Sequence, residues 1–332
     1  MWINLADEQK LQVLEQVENA VGLPAFVVEK DWWVCVILKA VFQSKYADSI
    51  IFKGGTSLSK AYNLIDRFSE DIDLIIDRHL LGFDQLDSKS QIKKLRKASG
   101  DFIINQFREE LITQLDQLGI DRKLYEISYN DHIDDTSDPN TLEIHYQTVV
   151  PMDNVYIQQR VLLEMGARSL TEPFETKSII SFLDHHYSDL DFTEPSFDVQ
   201  VVIPTRTFIE KVLLLHEECS KPGDKIRTDR LTRHLYDLDR IMKAEYGEMA
   251  IADDALFNTI VQHRRTVTPL RGMDYSNHIK GKLSIVPPDA IMDKWEADYK
   301  TMQENMIIGE SLKWEELLGR IKKIEGRFNQ LF

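Results

Sequence analysis

The stretch Phe52 to Ile76, FKGGTSLSKAYNLIDRFSEDIDLII, constrains the fold more than any other part of this chain. Ile50 and Ile51 lead through Phe52 and Lys53 into Gly54-Gly55, and Thr56 and Ser57 follow. Leu58, Ala61, Tyr62 and Ile65 then fall at i, i+3, i+4 and i+7, which predicts a helix running to Ile65 with a hydroxyl residue at its start. Asp71 to Ile76 reads as a strand. Alternation puts Asp71 and Asp73 on one face, and Ile72, Leu74 and Ile76 on the other.

Glycines let a phosphate approach the backbone closely, and the free N–H groups opening a helix favour an anion. Two carboxylates one strand pitch apart offer hard oxygen ligands to Mg²⁺, an ion that commonly arrives with substrate phosphates attached. A lone Gly-Gly-Thr is an ordinary tight turn, and a lone Asp-x-Asp an ordinary solvated strand end. Their order is the specific signal: strand, glycine turn, helix, short link, then Asp-x-Asp on a strand. It describes a site where a metal-bound nucleoside triphosphate is attacked at phosphorus.

KGGTSLSK followed by RFSEDIDL, with EKDWWVCVILKAVF just upstream, resembles the nucleotidyltransferase fold. Within it, the match is to the AbiEii/AbiGii-type toxins of bacterial abortive-infection and toxin–antitoxin systems. The resemblance is strongest over residues 28–76 and traceable to about residue 310. It implies transfer of NMP from an NTP, with Mg²⁺ or Mn²⁺ as cofactor and the 3′ end of tRNA as acceptor. The implied setting is arrest of translation in phage defence, with an antitoxin as partner. Asp71 and Asp73 become metal ligands, and Lys53, Gly54, Gly55, Thr56, Ser57, Lys60 and Ser69 the nucleotide-binding set.

Three further residues complete the expected site. This chemistry wants a third carboxylate on a neighbouring strand, to hold the nucleophile-side ion or to deprotonate the attacking hydroxyl. Glu164, ending the apolar run Arg160 to Met165, is the choice on pattern and by resemblance; Glu143 on the preceding strand is the competing candidate. The strand from Phe197 ends at Pro204 and leads to Thr205 and Thr207, with a helix expected from Phe208 to Cys219 and Glu210-Lys211 in its first turn. The family carries a Glu-Lys pair there whose lysine contacts nucleotide phosphates, which gives Lys211 its role. The family's Arg-Asp-x-x-Asp-Leu is here Arg233-His234-Leu235-Tyr236-Asp237-Leu238, so Asp237 is the one carboxylate kept and His234 stands in place of the other.

With 332 residues, 43% of them apolar and 29% charged, the chain can build two cores. A net charge of −15 argues against indiscriminate nucleic-acid binding. Local basic runs remain at Lys93 to Lys97 and at Lys225 to Arg233, and Arg271, Lys280 and Lys282 are candidate substrate contacts. Cys35 and Cys219 sit in apolar helical patterns and read as buried thiols, which fits a reducing cytosol. The start MWINLADEQK has no signal-peptide pattern, and the apolar run from Trp32 to Phe42 is too short and too charged to span a bilayer. A cytoplasmic protein is expected.

Helices are expected at 7–22, 25–43, 90–118, 230–246, 252–264, 290–307 and 312–329, and strands at 123–129 and 141–149 around the turn-rich NDHIDDTSDPN. The expected architecture is α/β: a nucleotidyltransferase-type small mixed sheet flanked by helices in residues 1–204 (helical lead-in 1–48), and a mainly helical domain in 205–332. A ligand cleft between the halves is the expectation. Two alternatives stay open: the same chemistry on a small-molecule or protein acceptor, and a non-catalytic interaction module.

Overall fold

In a computed structural model, described for residues 1–69, 71–129, 138–150 and 158–330, the chain divides into two compact units. One comprises residues 1–62 and 68–202; the other comprises 63–67 and 203–332.

The first unit is built around a mixed sheet. Helices α1 (Asp7–Val21) and α2 (Ala25–Gln43) precede strand β1 (Ile50–Lys53), which runs directly into α3 (Gly54–Lys60). Strand β2 (Asp71–Ile76) follows, then α4 (Lys89–Phe102), a π-helical turn at Ile103–Phe107, and α5 (Arg108–Gln117). Strands β3 (Tyr125–Tyr129), β4 (Asn140–Tyr146), β5 (Arg160–Gly166) and β6 (Phe174–Ile179), helix α6 (Phe182–His186) and strand β7 (Phe197–Val202) complete it. Among the described residues the strand order is β3-β4-β5-β2-β1-β7-β6. The β2–β5 and β1–β7 pairs are parallel and the other pairs antiparallel, as an α/β mixed sheet requires.

Helix α2 is apolar on all sides and accordingly buried, with Trp32, Trp33, Ile37 and Leu38 fully enclosed. Its charged triplet Glu29-Lys30-Asp31 is buried too, and each member is answered. Glu29 accepts from the Thr148 hydroxyl and from Val149 N–H at 3.0 Å. Lys30 donates to the Gln158 carbonyl at 2.8 Å, and Asp31 pairs with Lys60. Burial pushes the Glu29 carboxyl up, with the two hydrogen bonds opposing the shift.

Several elements differ from the sequence expectations. The helix after the glycines stops at Lys60 rather than reaching Ile65. Asn63 takes a left-handed backbone (φ 51°), which a helix cannot pass through, and residues 63–67 belong to the second unit. The helix expected over 90–118 starts one residue earlier, behind a Ser88–Gln91 capping box, and passes through the π-turn. Strand β6 and helix α6 were not expected. Of the loop NDHIDDTSDPN, residues 130–137 lie outside the described residues.

The second unit is helical: α7 (Pro204–Cys219), α8 (Thr232–Lys243), α9 (Tyr246–Ala252), α10 (Asp254–Thr266), α11 (Met292–Asn305) and α12 (Trp314–Asn329). Helix α7 begins at Pro204, whose fixed φ and missing N–H suit a first helical position, so Glu210-Lys211 sit in the second turn and not the first. Phe208 on α7 stacks on Phe328 of α12 at 6.2 Å, and Phe257 of α10 approaches the same ring at 6.1 Å. The helix expected over 230–246 is shorter, and α9 follows it as a separate element after Glu245, itself left-handed (φ 66°). Among the described residues no helix is long and apolar enough to cross a membrane.

Candidate functional site

Sheet register assembles the first unit's site. Across the β1–β2 ladder Lys53 lies opposite Asp73, and across the β2–β5 ladder Asp73 lies beside Glu164. Directly paired residues on neighbouring strands point to one face, about 4.8 Å apart. Lys53, Asp73 and Glu164 therefore form a row, with Asp71 on the same face two residues along β2. Ile72, Leu74, Leu163 and Met165 are fully buried on the opposite face. Glu143, the competing carboxylate, stands beside Leu162 instead and pairs with Arg160, so register favours Glu164.

The electrostatics of the row are those of crowded like charges. Burial first, then the Asp73 and Asp71 carboxylates, push the Glu164 carboxyl up to about 7, and Lys53 opposes the shift. Gly54 sits against this group with φ +85°, a conformation other residues rarely adopt. A Cβ there would overlap the Asp73 carboxylate, coming within 2.8 Å of its Cγ. The glycine thus brings backbone directly against the carboxylate.

A divalent cation fits this donor set in one specific sense. Among the described residues no group of three or more His, Cys, Asp or Glu side chains is gathered to hold a metal by itself. Mg²⁺, however, is commonly bound through one or two carboxylates, with substrate phosphates and water filling its remaining positions. Hard oxygens of mutually repelling carboxylates, on the half-exposed face of β2, suit such a shared site.

The remaining residues around the glycines are committed to structure. Thr56 and Ser57 are buried. The Thr56 hydroxyl donates to the Asp71 carbonyl and lies 3.0 Å from Ser69 Oγ, while the Ser57 hydroxyl donates to the Gly54 carbonyl at 2.9 Å. Lys60 Nζ bonds both Asp31 oxygens, at 2.7 and 3.0 Å, and sits 4.2 Å from the Phe182 ring centre. Burial works against its charge, but Asp31 outweighs it and raises the pKa. Lys53 is different: it is half-buried, beside the carboxylates, with Ser169 Oγ at 3.3 Å.

In the second unit Lys211 and Asp237 belong to a network of their own. Asp237, fully buried, accepts from Arg67 Nε at 2.7 Å and Nη2 at 2.8 Å, and pairs with Lys211 Nζ at 2.9 Å. Burial opposes its charge, yet Arg67 and Lys211 hold the carboxyl well below the usual range. Burial also lowers the Lys211 pKa. His234, in the place of the family's aspartate, brings Nδ1 to 3.3 Å from Lys211 Nζ. Burial, with the Lys211 and Arg233 cations beside it, keeps its imidazole neutral.

Arg67 is the member sequence reasoning missed. It lies within RFSEDIDL, but only the tertiary fold brings it to a partner 170 positions away. Lys280, expected as a substrate contact, is instead buried against Asp254 and the Ile251 carbonyl.

No curated protein matched the sequence. Among solved structures the chain is similar to MenT4, the nucleotidyltransferase toxin Rv2826c from Mycobacterium tuberculosis H37Rv, at 15% identity and a TM-score of 0.40. That distant match covers 96% of this chain and 98% of the other. The family model described as nucleotidyl transferase AbiEii toxin, type IV toxin–antitoxin system, matches residues 36–320. With its model spanning both units and the site between Lys53 and Glu164, the chain belongs to the AbiEii nucleotidyltransferase toxins of type IV toxin–antitoxin systems.

Proposed function

We propose that this protein transfers a nucleoside monophosphate from a nucleoside triphosphate to the 3′ end of tRNA, releasing pyrophosphate and arresting translation. The cell's cytoplasm is the setting, toxin–antitoxin control or phage defence the purpose, and an antitoxin the partner. The observation that carries the chemistry is the row Lys53–Asp73–Glu164, with Asp71 beside it and Gly54 against Asp73.

Within this reading the first unit, together with the start of α7 at Pro204, is the nucleotide-handling domain, and residues 205–332 its helical companion. Mg²⁺ or Mn²⁺, when bound, would be held by one or two of the carboxylates of Asp71, Asp73 and Glu164 together with substrate phosphates, and would supply positive charge to the triphosphate oxygens. Lys53 adds a cation beside the carboxylates, and the glycine backbone lets the phosphates approach closely. Glu164 completes the metal site or serves as the base that accepts the proton of the attacking hydroxyl. The new oxygen–phosphorus bond forms at the α-phosphorus as the bond to pyrophosphate breaks, and pyrophosphate leaves with the electron pair. In the second unit, Lys211 and Asp237 act as one ion-paired group, so their variants need a melting curve beside every rate.

A small-molecule acceptor is the second reading. Arg227, Arg264 and Lys280 are engaged by Glu218, Glu217 and Asp254, which leaves fewer cations for RNA. Incubation with labelled NTPs, Mg²⁺ and total tRNA decides between the two. Label on tRNA that disappears in Asp73→Ala is the expected result. Label on another acceptor favours the second reading, and an Asp73→Ala protein as active as the parent refutes the site itself.

A further inference from the structure

The face that carries the carboxylates continues outward across β5, β4 and β3. Thr141 on β4 pairs with Glu164, and two residues along Leu162 pairs with Glu143, which pairs in turn with Ser128 on β3. Alternation places these side chains on one face, while Leu142, Ile144, Val161 and Leu163 fill the core on the other. That outward face forms an open cleft of about 530 Å³, edged by Ser128, Tyr129, Thr141, Glu143, Arg160 and Leu162. Its size falls within the range of small-ligand sites, roughly 300–1,000 Å³.

Direction assigns the cleft a use. Gly54, the residue that follows β1, stands on one side of Asp73, while Glu164 stands on the other, on β5. A triphosphate held against the Gly54 backbone therefore lies toward β1. In-line displacement brings the attacking oxygen from opposite the leaving pyrophosphate, which is the side of Glu164 and the β4–β5 face beyond it. Leu162 lies two residues from Glu164, about 7 Å along the strand, a distance on the scale of one nucleoside.

The chemistry of the cleft suits a nucleobase better than a cation. Arg160 Nη1 is ion-paired with Glu143, so the acid there is already compensated. His145 Nε2 lies 3.3 Å from Glu143 and 3.1 Å from Ser128 Oγ, which extends the pair into a polar strip of donors and acceptors. Base edges present both kinds of group, and unpaired RNA bases are read by hydrogen bonds at their edges and by packing on apolar or guanidinium surfaces.

We propose that the β3–β4–β5 cleft is the acceptor subsite, holding the unpaired terminal nucleoside of an RNA strand over Leu162, with its base edge against Arg160 and Glu143 and its hydroxyl toward Glu164. The inference rests on the function proposed above and locates its acceptor.

Two variants test it, Arg160→Ala and Leu162→Ala, each assayed for NMP transfer to an RNA with an unpaired 3′ end. Loss of a base-edge contact raises the acceptor KM about tenfold while the NTP KM stays unchanged. Direct binding of a fluorescent single-stranded RNA, read by anisotropy, weakens in parallel. Melting curves identify a variant that is misfolded, and Glu143→Gln, which keeps shape and hydrogen bonding, serves as the milder companion. If the parent protein labels RNA and the folded variants keep the parent's acceptor KM, the subsite is wrong and the function stands. Equal rises in acceptor and NTP KM also overturn it. If the parent labels a small molecule or a protein in place of RNA, the functional reading falls, and the subsite with it.

Discussion

Gly54→Ala is the sharpest perturbation the structure offers. Two costs arise, and they are separable. The backbone at Gly54 has φ +85°, where an L-residue costs about 1–2 kcal/mol relative to glycine. The added methyl also lands on the Asp73 carboxylate, and Asp73 cannot retreat because its backbone is paired on both sides, to Lys53 and to Glu164. Its side chain must swing off its rotamer, at about 0.5–1.5 kcal/mol, and leave the row. The sum is roughly 1.5–3.5 kcal/mol, or about 3–14 °C in Tm for a unit of this size. Activity should fall more steeply than stability, by about 100-fold, because an ångström of misplacement at the reacting centre costs on that order.

Gly22→Ala is the control. Its φ is +72°, but nothing lies within 4 Å of an added Cβ, so it carries the backbone cost without the collision. Thermal melts and NMP-transfer rates on both variants give the comparison. Gly22→Ala should lose about 1–2 kcal/mol and keep its rate. A folded Gly54→Ala protein that transfers within threefold of the parent, or a Gly22→Ala protein that is equally inactive, would show that the glycine–aspartate contact does not govern the site.

Two further outcomes follow from buried charge. Arg67→Met leaves the buried Asp237 carboxylate with Lys211 as its remaining cation and should cost up to about 3–5 kcal/mol in urea unfolding, whereas the triple variant Arg67→Met, Asp237→Leu, Lys211→Met, which leaves none of the three charges behind, should recover most of it; a single variant as stable as the parent would mean the ion pair is not holding these elements. His216 is buried, accepts from Ser284 N–H at 3.0 Å, and is pushed down to about 4 by burial first and by neighbouring His278 second, with Glu217 opposing. Its folded pKa lies below the unfolded value of about 6.5, so the unfolded chain takes up the proton first and stability drains as pH falls from about 6.5 toward 4, by up to roughly 3 kcal/mol. His216→Gln keeps an acceptor for Ser284 and should flatten that acid limb in a Tm–pH series; an unchanged limb refutes the assignment.

How much of this was legible in the sequence depends on how local each constraint is. The faces of β2 were, because alternation alone separates Asp71 and Asp73 from Ile72 and Leu74. Glu164 against Glu143 was not decidable from alternation, since both point the same way from adjacent strands; only the β2–β5 register puts one of them beside Asp73. The helix end at Lys60 was hidden because Ala61, Tyr62 and Ile65 keep helical spacing beyond it, while Asn63 takes a left-handed backbone. Arg67 carried no local signal, since its partner stands in a different part of the chain. Lys211 and Asp237 were found as motif residues, but their mutual ion pair, and the neutral His234 beside it, emerge only from the fold.

The two lysines that flank the glycines show how a short element can be held rigid enough for chemistry. A helix of seven residues is far below the length at which isolated helices persist, so α3 draws its position from tertiary anchors. Lys60 is the strongest: buried, bonded to both Asp31 oxygens, and seated over the Phe182 ring. Asp31 also takes the Phe182 N–H at 2.8 Å, so one carboxylate ties α2, α3 and α6 together. Thr56 adds a second tie, from α3 to the Asp71 carbonyl on β2. Lys60 is engaged by Asp31, whereas Lys53 is half-buried in the carboxylate row. The sequence KGGTSLSK thus places one lysine on each side of the turn in different surroundings: Lys60 ties α3 to Asp31, and Lys53 stands beside the carboxylates of the row.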